Sequence, residues 1–395
     1  MDLCRTFLLL GLLLAATPAT ASESDQARNA PTFAYERDNG LVYRQGDTDL
    51  WLGLRGQFRY NSVATELDTE NVETIDRSLE VNRARIKGGG TVLKPWFAAY
   101  GEYDLVGSKW LDYRATLTVS GWLDIRVGQW KSEFSRERIN SSGKQQLVER
   151  SISNYYFTLD RQRGFSTSAR FGAGTRWDSR VWVQALSGLG LNQSAERSQV
   201  TGKNSGLLMG RWQWNPNGEV LPFSGSDLAR RPERVSSVAL AYVTGDSRCT
   251  RFSSDGCVQL PEFSDGDYEL EQLMLETAIH HRGFGWEQEL HYKKVRDERT
   301  GEVTRLLGGY AQLGTFPSEW WAKAPAPLEV VARLAIVDPN TDRSGDLNRE
   351  VTLGANWFFT GHRNKLSLDL SWLENDDPLE ASSKTRVRLQ WEVSL

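Results

Sequence analysis

From Leu50 to Tyr60 the chain reads LWLGLRGQFRY, with Leu50, Leu52, Leu54, Phe58 and Tyr60 on one face and Arg55, Gln57 and Arg59 on the other. A period of two with an apolar face marks a strand set between two different solvents. The pattern returns at Leu111–Val119, where Leu111, Tyr113, Ala115, Leu117 and Val119 oppose Asp112, Arg114, Thr116 and Thr118. It returns again at the end, where Val387, Leu389, Trp391, Val393 and Leu395 oppose Arg386, Arg388, Gln390 and Glu392. A soluble sandwich could show such faces too, so the number of repeats decides. About sixteen segments follow the rule, beginning near residues 50, 78, 96, 109, 123, 163, 176, 204, 234, 268, 284, 303, 326, 348, 363 and 384. An even number in this range fits a bacterial outer-membrane barrel.

Loop parity agrees. Odd-to-even connections are longer and polar (65–77, 135–162, 188–203, 247–267, 339–347 and 376–383) and are expected outside. Several even-to-odd connections are tight turns, among them Lys94-Pro95, Gly121-Trp122, Gly172-Ala173-Gly174 and Arg282-Gly283. Two inner connections, 216–233 and 317–325, are longer than this scheme needs. The predicted fold is therefore all-β: a transmembrane antiparallel β-barrel of about 16 strands over residues 50–395, with 22–49 as a periplasmic lead-in.

The start of the chain supplies the compartment. Arg5, the apolar run Phe7–Ala16 and the small residues Ala19-Thr20-Ala21 read as a secretory signal peptide over 1–21. A mean hydropathy of −0.49 does not argue against a membrane, because only every second barrel residue faces lipid. Fifteen Trp, fifteen Phe and twelve Tyr against three Met favour strands and interfacial aromatic girdles. Cys249 and Cys257 fall in one polar outer loop, as expected of a small disulfide in an oxidising compartment; a metal pair is the rival reading, and no His or third Cys lies nearby. The triplet Gly88-Gly89-Gly90 reads as the end of a strand, since no helix pattern follows it.

A net charge of −4 excludes a general polyanion binder, so no nucleic-acid partner is expected, and any selectivity must come from where charges sit. Parity turns Arg55, Arg59, Arg83, Arg85, Lys87, Arg114, Arg126, Arg170, Arg180 and Arg211 inward, most of them in the first half. Carboxylates expected inside are Glu102, Asp104, Asp112, Glu276, Glu287 and Glu289. One wall is thus expected to be basic and the opposite wall acidic. The third outer loop adds Arg136, Arg138, Lys144, Arg150, Arg161 and Arg163, and a loop of this length is usually functional. Each arginine could equally serve to pair with a wall carboxylate.

The run VGQWKSEFSRERINSSGKQQLVERSI (127–152) resembles the signature of the phosphate-selective porin O and P family. The stretches LGLRGQF (52–58), NRARIKGGG (82–90) and WLDYRATLTVSG (110–121) are similar to it as well. The resemblance implies a homotrimer whose third loop folds inward to form an anion-binding constriction. Residue by residue, it implies that Arg150 contacts the anion and that Arg138 stands at a constriction lysine. It also implies that Asp112 shapes the site, that Arg83 is one of two adjacent strand arginines, and that Arg55 belongs to the pathway. Arg85, Arg126, Lys131 and Lys144 complete the candidate set from the same faces, run and loop. Three positions depart from the pattern: Asn82 stands where the second paired arginine is expected, the loop 247–267 offers only Arg248 and Arg251, and the chain ends in Leu395 rather than an aromatic. The function expected is an outer-membrane porin for phosphate-like anions; a weakly selective diffusion pore is the alternative. A hydrolase would need a histidine beside a nucleophile, and His291, among Glu287, Glu289 and Lys293, has no obvious one. Neither a cofactor nor an enzymatic activity is expected.

Overall fold

The computed structural model of the chain describes residues 30–36, 40–67, 72–93, 95–193, 202, 204–376 and 382–395; the expected signal peptide, Lys94 and parts of the lead-in and outer loops lie outside them. A short hairpin, β1 (Thr32–Glu36) and β2 (Gly40–Gln45), precedes the main sheet. The first eight wall strands are β3 (Thr48–Leu67), β4 (Val72–Val92), β5 (Phe97–Asp104), β6 (Lys109–Ser120), β7 (Leu123–Lys131), β8 (Arg161–Phe171), β9 (Ser179–Leu186) and β10 (Gly206–Trp214). The wall resumes at β11 (Val235–Ser247), after which β12 (Arg251–Ser253) and β13 (Gly256–Val258) form a separate small hairpin. It continues through β14 (Tyr268–His281), β15 (Phe284–Asp297), β16 (Val303–Thr315), β17 (Leu328–Asp338), β18 (Asn348–Thr360), β19 (Asn364–Asn375) and β20 (Ser382–Ser394).

Each wall strand pairs antiparallel with the next, and β20 pairs back onto β3 from Ser382↔Leu67 to Ser394↔Arg55. The sheet is thus a closed ring of sixteen strands with no free edge. The expected strand starts lie within three residues of the observed ones except at β4, which begins at Val72 rather than near 78. The lead-in carries more structure than its sequence suggests: β2 pairs with the first residues of β3, from Gln45↔Thr48 to Leu41↔Leu52.

Alternation sorts the two faces. Leu52, Leu54, Phe58 and Tyr60 are exposed while Arg55, Gln57 and Arg59 are buried, and the same split holds around the ring. An outer surface of exposed Leu, Val, Ile and aromatic side chains is what a lipid-facing belt requires. Exposed aromatics cluster near the inner turns, including Trp96, Trp122, Phe171, Trp177, Trp320 and Trp321. Gly88-Gly89-Gly90 lies within the last turnward stretch of β4. Gly128 in β7 has φ +129, and a Cβ there would stand 2.2 Å from the Tyr113 carbonyl oxygen, so glycine lets β6 and β7 approach.

Two connections do not stay at the rim. The segment 132–160, between β7 and β8, contains helices α1 (Arg136–Ile139) and α2 (Ile152–Phe157), and Ser135 caps α1 by accepting from the Arg138 amide at 3.2 Å. The segment 215–234, between β10 and β11, buries Leu221 against Val235 and Ala278.

Candidate ion pathway

The segment 132–160 hydrogen-bonds the polar faces of strands all round the ring. Ser142 Oγ accepts from Arg55 of β3 at 2.8 Å, and Glu149 accepts from Arg59 at 2.7 Å and Arg83 at 2.8 Å. Toward the other side, Arg136 donates to Glu276 of β14 at 2.9 Å, Asn140 to Glu287 of β15 at 3.0 Å and Gln146 to Glu329 of β17 at 2.9 Å. Asn356 of β18 donates to the Gln146 carbonyl at 2.7 Å, and Asp369 of β19 accepts from the Val148 amide at 2.9 Å. A chain segment with partners on opposite walls of a closed ring lies across its interior.

This crossing also revises the expected split of charge. The loop brings Arg136 to the acidic wall and Glu149 to the basic one, so each wall is locally matched by the opposite sign. The second half of the wall has its own inward cations, Arg333 paired with Glu350 and Arg388 with Asp369. The interior is therefore not a basic side facing an unpaired acidic side, although the β3–β9 wall keeps a basic excess. Sequence parity shows which way a wall residue points, but it says nothing of what a loop carries in to meet it.

Most candidate guanidiniums have carboxylate partners. Arg55 Nε donates to Glu392 at 2.9 Å, Arg85 to Glu102 at 2.8 Å and Arg138 Nε to Asp160 at 2.9 Å, while Arg126 pairs with Glu133. Asp112 accepts from Arg161, one of the third-loop arginines of the sequence, at 2.8 Å. Arg83 sits at a β-bulge in β4, where the β3–β4 register steps from Gln57↔Arg83 to Phe58↔Val81 and leaves Asn82 unpaired in the ladder. The bulge turns Asn82 and Arg83 inward together, and with its amide oxygen facing them Asn82 accepts from Arg59 at 2.9 Å and Arg83 at 2.8 Å. An asparagine thus replaces a charge at this position with a clamp on two charges.

Arg150 differs from the rest. Its guanidinium donates to the carbonyls of Glu137 (2.8 Å) and Asn140 (2.7 Å), and among the described residues no carboxylate lies within ion-pair distance. Lys131 donates to the same Asn140 carbonyl at 3.1 Å. Burial, and then the Arg138 charge, hold Arg150 below the ordinary guanidinium range, the setting in which an added anion is favoured. Burial pushes the Glu149 carboxyl up, but Arg83 and Arg59 outweigh it and hold it well below the usual carboxylate range.

Between the loop and the wall from β3 to β9 lies a cavity of about 450 Å³. Five candidate residues meet there: Arg85, Asp112, Arg126, Lys131 and Lys144. Arg55, Arg83, Arg138 and Arg150 do not line it and lie in or against the loop beside it. The structure adds Lys87, Arg114 and Arg180, giving seven basic groups against the three carboxylates of Glu102, Asp112 and Glu133. The ammonium groups of Lys87 and Lys144 make no hydrogen bond or ion pair among the described residues. Parity had placed Lys87, Arg114 and Arg180 inward, but nothing in the sequence separated these from the arginines that are neutralised. Phe223, also in the lining, arrives from 215–234 and carried no sequence signal at all.

The small outer hairpin is closed by a Cys249–Cys257 disulfide with a Cα–Cα distance of 5.3 Å. It braces the loop from outside: Arg138 donates to Ser254 Oγ at 2.7 Å, and the Arg251 guanidinium lies 3.5 Å over the Tyr155 ring. His291 is stacked on Phe157 and bonded to Glu289 at 2.9 Å.

A closed sixteen-strand barrel with a lipid-facing belt and a charged, loop-crossed interior is the architecture of an outer-membrane porin. The family model for phosphate-selective porin O and P matches residues 53–394, and the chain belongs to that family. It resides in the bacterial outer membrane. Similar solved structures include an anion-selective porin from Comamonas acidovorans (TM-score 0.55, 13% identity, 88% of this chain and 100% of that one). Others are the outer membrane channel DcaP of Acinetobacter baumannii (0.55, 12%, 88% and 97%) and OmpT of Vibrio cholerae (0.55, 8%, 88% and 98%). No curated protein matches in sequence.

Proposed function

We propose that this porin passes small anions, phosphate-like oxyanions among them, through the cavity between the third loop and the β3–β9 wall, with the loop as its constriction. The observation that carries the reading is the excess of seven basic over three acidic groups around that cavity, the ammonium groups of Lys87 and Lys144 making no hydrogen bond or ion pair among the described residues. An oxyanion entering a narrow pore gives up water, and fixed donors must offset that loss. Guanidinium suits the task because it stays charged and donates along two parallel bonds. Binding stays weak because carboxylates such as Asp112 and Glu102 hold the neighbouring arginines and shallow the well, so the ion leaves. Lys131 lines the cavity and Arg150 lies beside it on the same Asn140 carbonyl, so the two are the pair expected to draw the anion to the loop. Family membership also supports a homotrimer as the functional unit, and OmpT of Vibrio cholerae, similar in fold, has a trimer form.

The test is chloride current through reconstituted channels with phosphate added. The reading predicts a saturable fall in current as phosphate occupies the site. A current that follows bulk conductivity, with no block, would instead mark a weakly selective diffusion pore, which the pairing of most inward arginines would then explain.

A further inference from the structure

The inner connection 215–234 is far longer than a barrel turn requires, and it does not hang below the wall. Arg136 donates to the Pro222 carbonyl at 2.9 Å, Ser226 Oγ to Glu329 at 2.9 Å, and Ser224 Oγ lies 3.0 Å from His362 Nε2. These bonds pin the segment inside the ring, directly beneath the third loop. Its one side chain in the ion cavity is Phe223, whose ring is covered by Arg136 at 4.8 Å.

The cavity is therefore two-sided in character. Phe223 and Ile139 give it an apolar wall from the loops, Trp51 and Tyr100 an aromatic one from the strands, and Lys87 and Lys131 face them as cations. A small inorganic oxyanion gains nothing from those rings and loses hydration beside them. Nor does it need so much room: about 450 Å³ is the size of an organic-ligand pocket, which is lined by apolar groups with a few charges to fix orientation.

We infer that the cavity favours planar organic carboxylates, of which benzoate is the simplest, over inorganic phosphate, with Phe223 as the residue that sets this preference. The inference rests on the anion-porin reading and narrows its substrate class. The carboxylate lies among the ammonium and guanidinium groups while the ring packs against Phe223 and Ile139. Lengthening the turn brought Phe223 there, which gives a function to a connection that the barrel alone does not need.

The experiment measures block of chloride current through the full-length channel by benzoate, acetate and phosphate. Benzoate is expected to block at concentrations about tenfold below the other two, the ratio that about 1.4 kcal/mol of ring burial supplies. Phe223→Ser is expected to abolish that advantage and leave phosphate block within about twofold. Phe223→Leu keeps the bulk and the fold, and is expected to retain part of it. Equal block by benzoate and acetate would overturn the inference, and so would a Phe223 variant that weakens benzoate and phosphate alike. A wild-type channel that prefers cations would overturn the anion reading itself, and this inference with it.

Discussion

Glu149 shows how single residues set the pore. It sits on the third loop and accepts from both Arg59 and Arg83, so one carboxylate ties the loop to two strands. Its carboxyl is held well below the usual range by those arginines, despite burial. A depressed carboxyl contributes stability that is present above its unfolded value and lost as pH falls through the folded one. The loop should therefore keep its place from neutral pH down to about 4.5, the ordinary Glu range, and loosen only in stronger acid. Single-channel conductance recorded from pH 7 downward checks this: a plateau followed by a late change is expected. Glu149→Gln should bring that changed conductance to neutral pH, because a neutral amide leaves two guanidiniums without their shared counter-charge. Asn82 acts at the same scale: the bulge turns this amide inward onto Arg59 and Arg83, so the position where the resemblance implied a second arginine holds a positioning contact.

The strands were the legible elements. Lipid outside and water inside impose a strict alternation, and that alternation located fifteen of the sixteen strand starts to within three residues. The exception, β4, begins earlier because its outer end pairs with β3 well beyond the expected loop, up to Leu67↔Val72. The outward face makes a direct prediction. Leu353, near the middle of β18, is exposed on the belt. Leu353→Arg should cost about 2–4 kcal/mol at the bilayer midplane, measured as a lowered urea midpoint for unfolding from lipid vesicles. Loops were legible only in part. Length marked 135–162 as special, and the excess length of 216–233 was visible without its reason. Neither the hydrogen bonds across the ring nor the arrival of Phe223 in the cavity follows from periodicity, since both depend on contacts between segments far apart in the chain.

For the whole molecule, closure of the sheet gathers the inward charges of a chain of net charge −4 around one interior. Most inward arginines are matched by carboxylates on the wall or loop, which keeps the interior stable. Lys87, Lys144 and Arg150, beside the β3–β9 wall, lack carboxylate partners among the described residues, as do Lys293 and Lys365 on the far wall, whose ammonium groups donate instead to the Tyr156 and Gln145 carbonyls of the third loop. Net charge could not reveal the basic excess around the cavity, because it sums paired and unpaired groups alike. The most direct test is the zero-current potential of reconstituted channels in a potassium chloride gradient. The wild-type protein is expected to show the sign of chloride permeation, and Arg150→Ala a potential shifted toward zero, with the chloride-to-potassium permeability ratio reduced roughly tenfold, about the loss of one charge-assisted bond. A potassium-preferring potential that Arg150→Ala leaves unmoved would contradict the account.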